Sequence, residues 1–184
     1  MNLKNKISIM LSLICLIPIF NIDFSYSHIK ENFNFKNITI EDGLSQSTVE
    51  TIFQDSRGYI WFGTNDGLDR YNGYDIKSYK YDKYSDNSLA NNYIVDILED
   101  KDGYLWVSTI AGLSMINQSN NEIKNYYSDK DKGNLSNENL WQLLYTKDGR
   151  LLASTVDGLN LYNKEKDSFI RVLSGKNDLP SQFI

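Results

Sequence analysis

The sequence predicts an all-β protein, a partial β-propeller of about three four-stranded antiparallel blades plus the start of a fourth, after an N-terminal signal helix. Two observations lead to this prediction. A unit of about 45 residues recurs three times after the N-terminal segment. Within each unit, short runs rich in β-branched and aromatic residues are separated by glycine-containing turns, which is typical of strands joined by hairpins.

The repeat is visible when the chain is aligned with itself. The segment DSRGYIWFGTNDGLDRYN at residues 55–72 returns as DKDGYLWVSTIAGLSMIN at 100–117 and as TKDGRLLASTVDGLNLYN at 146–163. A connecting motif, DGLS at residues 42–45, returns as NSLA at 87–90, GNLS at 133–136 and NDLPS at 177–181. The last copy opens a fourth unit. The predicted blades therefore cover approximately residues 45–89, 90–135 and 136–179 of a domain spanning 28–184.

The second unit predicts four strands, over residues 93–99, 104–110, 113–116 and 122–127. In the second of these, Leu105, Val107 and Thr109 share one face, while Trp106 and Ser108 share the other. Residues 34–40 predict one more strand, the outer strand of a final blade. No copy shows apolar residues at helical spacing over ten or more positions, which argues against a helical repeat.

The N-terminus has the pattern of a secretory signal. Lys4 and Lys6 precede an uncharged run at residues 7–20, and small residues at Ser25 and Ser27 suit cleavage after Ser27. We therefore expect residues 1–27 to be a signal peptide and the mature chain to be exported. The run is shorter than the ~20 residues of a stable membrane span, although an uncleaved anchor remains the alternative.

Composition excludes several classes of function. The net charge is −5 and no block of Lys and Arg follows the N-terminus, which argues against nucleic-acid binding. The single cysteine, Cys15, lies inside the signal, so the mature chain has no thiol chemistry. His28 is the one histidine and has no catalytic partners in the sequence. Residues 129–134 alternate acids as a calcium loop does, but lack its third acid and distal Glu. We predict no catalytic residue, no metal site and no cofactor.

The repeated residues have structural explanations. Glycines at positions 58, 103 and 149 fit tight hairpins. Gly63, Ser108 and Ser154 are small, as expected where neighbouring blades crowd together near a central axis. Trp61 and Trp106 are expected to pack between blades, with Leu152 in that place in the third copy.

The unit D-x-x-G-x-x-W-x-G-T-x-x-G-L-x-R-Y resembles the two-component regulator propeller repeat. The first copy matches it at Asp55, Gly58, Trp61, Gly63, Thr64, Gly67, Leu68, Arg70 and Tyr71. The second copy keeps Asp100, Gly103, Trp106, Thr109, Gly112 and Leu113. The third keeps Gly149, Thr155, Gly158, Leu159 and Tyr162, with Thr146 and Leu152 replacing the Asp and the Trp.

The resemblance implies the extracytoplasmic, ligand-sensing region of a bacterial receptor whose output is a histidine kinase or a diguanylate cyclase. Such a region has no enzyme activity of its own, and its ligand is a small molecule or a carbohydrate. Membrane attachment comes from a helix further downstream or from an uncleaved signal, and a homodimer is one arrangement open to the full-length receptor. Seven blades need roughly 315 residues, so we expect this chain to be a fragment without its output domain.

Two alternatives remain open at this point: a secreted propeller enzyme of the lyase or hydrolase type, and a non-catalytic surface scaffold. Tyrosines also cluster in the outer-strand region, at positions 74, 79, 81, 84, 126 and 127. Ordinary strand packing is the preferred explanation of this cluster. A sugar-stacking surface or a dimer contact is the alternative.

Overall fold

The computed structural model describes residues 35–128 and 134–173, which form three four-stranded antiparallel sheets. In each sheet, strands that follow one another along the chain pair with one another, and we name the sheets blades 1, 2 and 3. The strands are β1 (Val49–Gln54), β2 (Ile60–Thr64), β3 (Gly67–Tyr71) and β4 (Ile76–Tyr79) in blade 1; β5 (Ile94–Glu99), β6 (Tyr104–Thr109), β7 (Gly112–Asn117) and β8 (Glu122–Tyr126) in blade 2; β9 (Leu140–Tyr145), β10 (Leu151–Thr155), β11 (Gly158–Asn163) and β12 (Ser168–Leu173) in blade 3.

The predicted all-β architecture with three four-stranded units is confirmed. The four strands expected in the second unit are all present, each with ends within one residue of the predicted ones. The signal segment, His28, residues 129–133 of the calcium-like stretch and the fourth connecting motif lie outside the described residues.

The prediction of a strand over residues 34–40 is wrong. Residues 35–39 have no regular secondary structure, and Ile40–Asp42 form a short 3₁₀ helix. Thr39 caps this helix: its hydroxyl accepts from the Glu41 N–H at 3.2 Å, and the Asp42 carboxylate accepts from the Thr39 N–H at 2.9 Å. Gly43, at φ +108°, ends it. These local hydrogen bonds satisfy backbone groups that a strand would have to pair with a neighbouring strand.

The sheets stand side by side like propeller blades, with their first strands closest together. β1 lies beside β5, and β5 lies beside β9, while β4, β8 and β12 make their main contacts within their own sheets. Each first strand carries an irregularity in pairing at the same repeat position, where Glu50, Val95 or Trp141 is the extra residue. The first strands therefore form the inner edge of the assembly, and the recurring bulge bends each of them in the same way.

Two apolar cores fill the spaces between the blades. Leu105 and Val107 of β6 lie in the core shared with Trp61 of blade 1. Trp106, on the other face of β6, lies in the core shared with blade 3. Both faces of blade 2 are therefore buried, and the two side-chain sets predicted for this strand do lie on opposite sides.

The outer faces of blades 1 and 3 lack such a neighbour among the described residues. Ile97 of β5 is 4% exposed and Leu143 of β9 is 5% exposed, whereas Ile52, at the same repeat position in β1, is 65% exposed. Leu144 on the far side of blade 3 is 56% exposed. Burial of these positions thus depends on the adjacent blade and not on the strand itself.

Candidate functional site

The repeated Asp and Trp form one hydrogen-bonded unit in each of the first two blades. The indole Nε1–H of Trp61 donates to Asp55 at 2.8 Å, and the other carboxylate oxygen of Asp55 accepts from the Arg57 and Tyr59 N–H groups at 3.0 and 2.9 Å. Gly58 closes this hairpin at φ +86°. The side chain of Asp55 thus shapes the β1–β2 turn and holds the buried Trp61 ring.

Blade 2 repeats this arrangement with the same geometry. The Nε1–H of Trp106 donates to Asp100 at 2.8 Å, and the N–H groups of Asp102 and Tyr104 donate to the other oxygen at 2.9 and 3.0 Å. Gly103 has φ +81°. In blade 3 both partners change together: Thr146 accepts from the Arg150 N–H at 2.9 Å, and Leu152 replaces the indole. A hydroxyl is sufficient there because no indole needs an acceptor.

The repeated Thr and Gly form the turn between the second and third strands of each blade. The hydroxyls of Thr64, Thr109 and Thr155 donate to the carbonyl of the glycine three residues later, at 2.8, 2.6 and 3.0 Å. Those glycines, at positions 67, 112 and 158, have φ between +128° and +139°. The leucines that follow pack inward: Leu68 and Leu113 are fully buried, and Leu159 is half-buried.

Tyr71 and Tyr162 end the signature in the first and third copies. The Tyr71 hydroxyl donates to the Gly73 carbonyl at 2.6 Å, and the Tyr162 hydroxyl donates to Asp167 at 2.7 Å. In the second copy Ile116 takes this position and is buried in the core with blade 1. These contacts close the outer hairpins and the interfaces between blades.

Gly63 of blade 1 lies in close contact with Ile94 of blade 2. A Cβ atom at this position would lie 2.6 Å from Thr51 Cγ2 and 2.7 Å from Ile94 Cγ2. Separations below 3 Å require a shift of well-packed atoms. At the corresponding positions Ser108 and Ser154 donate to carbonyls of the first strands, of Asp96 at 3.4 Å and of Gln142 at 3.1 Å.

A buried polar position in the third strand was not found from the sequence. Asp69, Ser114 and Asn160 occupy it and are fully buried. In each blade this side chain accepts a hydrogen bond from a backbone N–H of the connecting motif. The N–H of Ser45 donates to Asp69 at 2.7 Å, that of Ala90 to Ser114 at 2.9 Å, and that of Ser136 to Asn160 at 2.9 Å. The three residues differ in type, so alignment of identical residues hides the position. The feature that recurs is a polar side chain directly after the repeated Leu that follows the turn glycine.

A further contact missed from the sequence joins consecutive blades at the outer edge. The Tyr79 hydroxyl of blade 1 donates to Asn121 of blade 2 at 3.1 Å, and the Tyr126 hydroxyl of blade 2 donates to Asp167 of blade 3 at 2.5 Å. Asn121 and Asp167 both have positive φ, +59° and +48°. Each therefore sits in a left-handed turn that offers its side chain to the preceding blade.

Several groups at these contacts between blades have shifted pKa values. Burial raises the pKa of Asp96, whose carboxylate accepts from the Leu143 N–H of blade 3 at 2.8 Å. Burial alone would raise the pKa of Asp167, but hydrogen bonds from Lys124, Tyr126 and Tyr162 outweigh it and hold this pKa below 3.8. Burial and the Asp167 carboxylate raise the pKa of Tyr126, and burial raises that of Tyr162 to about 12. Structural contacts account for these shifts, which therefore do not indicate catalysis.

The clustered tyrosines separate into two groups. Tyr79 and Tyr126 are buried at 8% and 3% exposure and pack on Trp61 and Trp106, as ordinary strand packing predicts. The other four are exposed, at 90% for Tyr74, 48% for Tyr81, 85% for Tyr84 and 40% for Tyr127. The alternative surface role therefore concerns only these four.

Two of the exposed tyrosines line a groove on the outer side of blade 2. It has a volume of about 400 Å³ and lies between the connection from blade 1 to blade 2 and the edge strand β8. We call it the connector groove; its lining includes Tyr81, Asp82, Asp86, Asn125 and Tyr127. A second cleft of about 580 Å³, lined by Tyr104, Met115 and Glu122, shares Asp86, Ile123 and Lys124 with it.

Nothing in the described residues forms a site for metal chemistry. Within residues 35–128 and 134–173, no three His, Cys, Asp or Glu side chains come close enough to hold a metal ion. The same part of the chain contains no helix with the length and apolarity needed to cross a membrane. The repeat-signature residues predicted from the sequence lie in turns, in cores and at contacts between blades.

This fold defines a propeller-type repeat protein built from four-stranded blades. The family profile described as two-component regulator propeller matches residues 43–66 and 88–111 of this chain. Over 59 residues the sequence is 44% identical to histidine kinase P4 of Formosa agariphila. This aligned segment covers 32% of this chain and 4% of that protein. The chain thus spans a small part of the length of this curated relative.

Two solved structures superpose on most of this chain. Virginiamycin B lyase from Staphylococcus aureus, in a catalytically inactive form with quinupristin, superposes with a TM-score of 0.57 at 14% identity, over 83% of this chain and 48% of the lyase. The extracellular domain of a hybrid two-component system from B. thetaiotaomicron has a TM-score of 0.48 at 20% identity, over 78% of this chain and 27% of that domain. At these identities the likeness to the lyase concerns the fold alone.

Proposed function

We propose that this chain is part of the extracytoplasmic, ligand-sensing region of a two-component-type signal transduction receptor. The main support is the regulator propeller repeat at residues 43–66 and 88–111, together with the 44% identity to a histidine kinase. The predicted signal at residues 1–27 agrees with a location outside the cytoplasm. The kinase or cyclase output of such a receptor would belong to sequence outside these 184 residues.

We further propose that the chain binds its ligand without converting it. An enzymatic propeller of the lyase or hydrolase type needs a convergent set of acid, base or metal-binding side chains. In the described part of the chain, the carboxylates with shifted pKa values serve contacts between and within blades. A surface scaffold without a ligand is the remaining alternative.

Export is tested by fusing alkaline phosphatase, which is active only outside the cytoplasm, after Ile184. The proposal predicts phosphatase activity that is lost when residues 7–20 are deleted. Activity that is absent from the intact fusion, with the fusion protein present in the cytoplasm, would overturn the receptor assignment.

Binding and turnover are separated by a second experiment. The chain is screened by thermal shift against small molecules and oligosaccharides, and each compound that raises the melting temperature is then analysed for chemical change. A sensor raises its melting temperature and leaves the compound intact. Conversion of the compound would favour the enzyme, and no shift with any compound would favour the scaffold.

A further inference from the structure

Asn72 and Gly73 form an exposed Asn–Gly dipeptide in the β3–β4 turn of blade 1. The sequence contains no other Asn that is directly followed by Gly. Both residues are exposed, and a Cβ atom placed on Gly73 would have no neighbouring atom within 4 Å. The dipeptide therefore has open space around it, and it lacks the side chain that would shield the Gly73 nitrogen.

The turn polarises the side-chain amide of Asn72. Its carbonyl oxygen Oδ1 accepts from the N–H of Tyr74 at 2.8 Å and from the N–H of Asp75 at 2.7 Å. Two N–H donors on one carbonyl oxygen draw electron density away from the carbon Cγ. They also stabilise the negative charge that the oxygen acquires when a nucleophile adds to this carbon. The Asn72 Cγ is therefore prepared for attack by the folded turn.

The backbone nitrogen of Gly73 is available as the nucleophile. In the part of the chain that the structure describes, the Gly73 N–H donates no hydrogen bond. The N–H groups of the other three residues in the turn, Asn72, Tyr74 and Asp75, each donate one. Loss of the Gly73 proton therefore breaks no hydrogen bond of the folded chain.

Asn117 and Asn163 stand at the same repeat position in blades 2 and 3. Each of their side chains accepts a single backbone N–H, at 3.0 Å in both blades, whereas that of Asn72 accepts two. The residues that follow them are Gln118 and Lys164, whose side chains bond to the preceding blade. The three blades therefore supply an internal comparison, in which the dipeptide and its hydrogen bonds differ at one repeat position.

We propose that Asn72 is a site of spontaneous deamidation in the folded chain. Water or hydroxide removes the Gly73 N–H proton, and the nitrogen forms a bond to Asn72 Cγ that closes a succinimide ring. The bond between Cγ and Nδ2 then breaks, and the nitrogen leaves as ammonia with a proton from water. Addition of water to either succinimide carbonyl opens the ring to aspartate or to isoaspartate. This reaction is independent of the receptor function proposed above.

The two products differ in their effect on the hairpin. Aspartate keeps a side-chain oxygen for the N–H groups of Tyr74 and Asp75. Isoaspartate carries the main chain through its Cβ, so a methylene is inserted directly before Gly73. This is where the Tyr71 hydroxyl donates to the Gly73 carbonyl at 2.6 Å and the Asn72 N–H donates to the Asp75 carbonyl at 3.2 Å. The isoaspartyl form therefore weakens the contacts that close the outer hairpin of blade 1.

The test follows the side-chain amides by peptide mapping. The whole chain is incubated in neutral buffer, both folded and unfolded in guanidinium chloride, and then digested for mass spectrometry and for labelling by isoaspartyl methyltransferase. We expect progressive loss of the Asn72 amide in the folded chain, at least as fast as in the unfolded chain, with isoaspartate among the products. Asn117 and Asn163 of the folded chain should keep their amides over the same period.

Two variants separate the contribution of the turn from that of the dipeptide. Lys164→Gly gives Asn163 a following glycine, while its Oδ1 still has one backbone N–H donor in place of two. We expect Asn163 of this variant to lose its amide more slowly than Asn72. Asn72→Asp reproduces the aspartyl product, and an aged wild-type chain that contains isoaspartate should melt at a lower temperature than this variant. Circular dichroism checks that both variants fold.

Three outcomes would overturn the proposal. The first is slower loss of the Asn72 amide in the folded chain than in the unfolded chain, which would mean that the turn protects it. The second is equal loss at Asn72, Asn117 and Asn163 of the wild-type chain. The third is equal loss at Asn72 and at Asn163 of the folded Lys164→Gly variant. Equal melting temperatures of the isoaspartate-containing chain and of Asn72→Asp would overturn the expected weakening of the hairpin.

Discussion

The Trp61 indole donates a hydrogen bond to the Asp55 carboxylate at 2.8 Å, and 45 residues later Trp106 donates to Asp100 at the same distance. One carboxylate thus organises a hairpin and fixes the ring that fills the space between two blades. In blade 3 the acid and the indole are both absent, as Thr146 and Leu152. The Asp and the Trp are therefore present together or absent together. The reason is that a buried indole N–H needs a hydrogen-bond acceptor, which the Asp supplies.

Removal of one acid should expose this dependence. We predict that Asp100→Ala lowers the free energy of unfolding by about 1–3 kcal/mol, because the buried Trp106 N–H loses its acceptor. Asp102→Ala in the same turn is the control and should have a much smaller effect, since its ion pair with Lys164 is exposed. Urea denaturation measures both. Equal losses would mean that the turn, and not the indole contact, is responsible.

Gly63 should not tolerate a methyl group. We predict that Gly63→Ala costs about 1–3 kcal/mol, because the new Cβ would press on Thr51 and Ile94 from two blades. Ser108→Ala is the control at the same repeat position in blade 2, where a Cβ is already accommodated, and should change stability by less than about 1 kcal/mol. Thermal unfolding compares the two variants. A neutral Gly63→Ala would show that the blades can move apart at no cost.

Equivalent isoleucines in neighbouring blades should respond differently to the same change. Ile97 is 4% exposed and Ile52 is 65% exposed. We predict that Ile97→Ala costs about 2–5 kcal/mol through lost burial and a cavity, and that Ile52→Ala stays within about 0.5 kcal/mol. Chemical denaturation of both variants tests this. A large loss from Ile52→Ala would mean that its face is covered in solution.

Asp167 should stabilise the fold in a pH-dependent manner. Its pKa is lowered in the folded chain, so its contribution is present above the ordinary value of 3.8 and is lost as the pH falls through the folded pKa. We predict that wild type exceeds Asp167→Asn in stability at neutral pH and that the difference shrinks below pH 3.8. Unfolding curves at a series of pH values measure it.

Asp96 should make stability depend on pH in the opposite direction from Asp167. Burial raises its pKa, so the folded chain holds the proton more tightly than the unfolded chain, and stability falls as the pH rises from 3.8 through the folded value. Wild type should therefore lose stability relative to Asp96→Asn over that rise. The stability difference between wild type and variant is plotted against pH for Asp167→Asn and for Asp96→Asn. If the two plots have slopes of the same sign, the surroundings assigned to one of these carboxylates are wrong.

Much of the fold was predictable because its determinants are local. A glycine three residues after Asp100 or Asp55 produces the same positive-φ hairpin wherever it occurs, and Thr with Gly three residues later produces the same turn. The buried position of Asp69, Ser114 and Asn160 was not predictable in this way, because its three side chains differ and share only their bond to a distant connecting motif. The strand expected at 34–40 failed because a local cap at Thr39 competed with it.

The sequence by itself determined the repeat, the four strands of each unit and the turns between them, since these depend on residues within a few positions of one another. Only the tertiary structure decided which faces are buried. Ile52 and Ile97 stand at the same position of the same strand, yet one is exposed and the other enclosed. The hydrophobic effect acts on the surface that a neighbour removes from water, and that neighbour lies one whole blade away in the chain. The connector groove has the same origin, since its two tyrosines are 46 residues apart and meet only when the connection folds against blade 2.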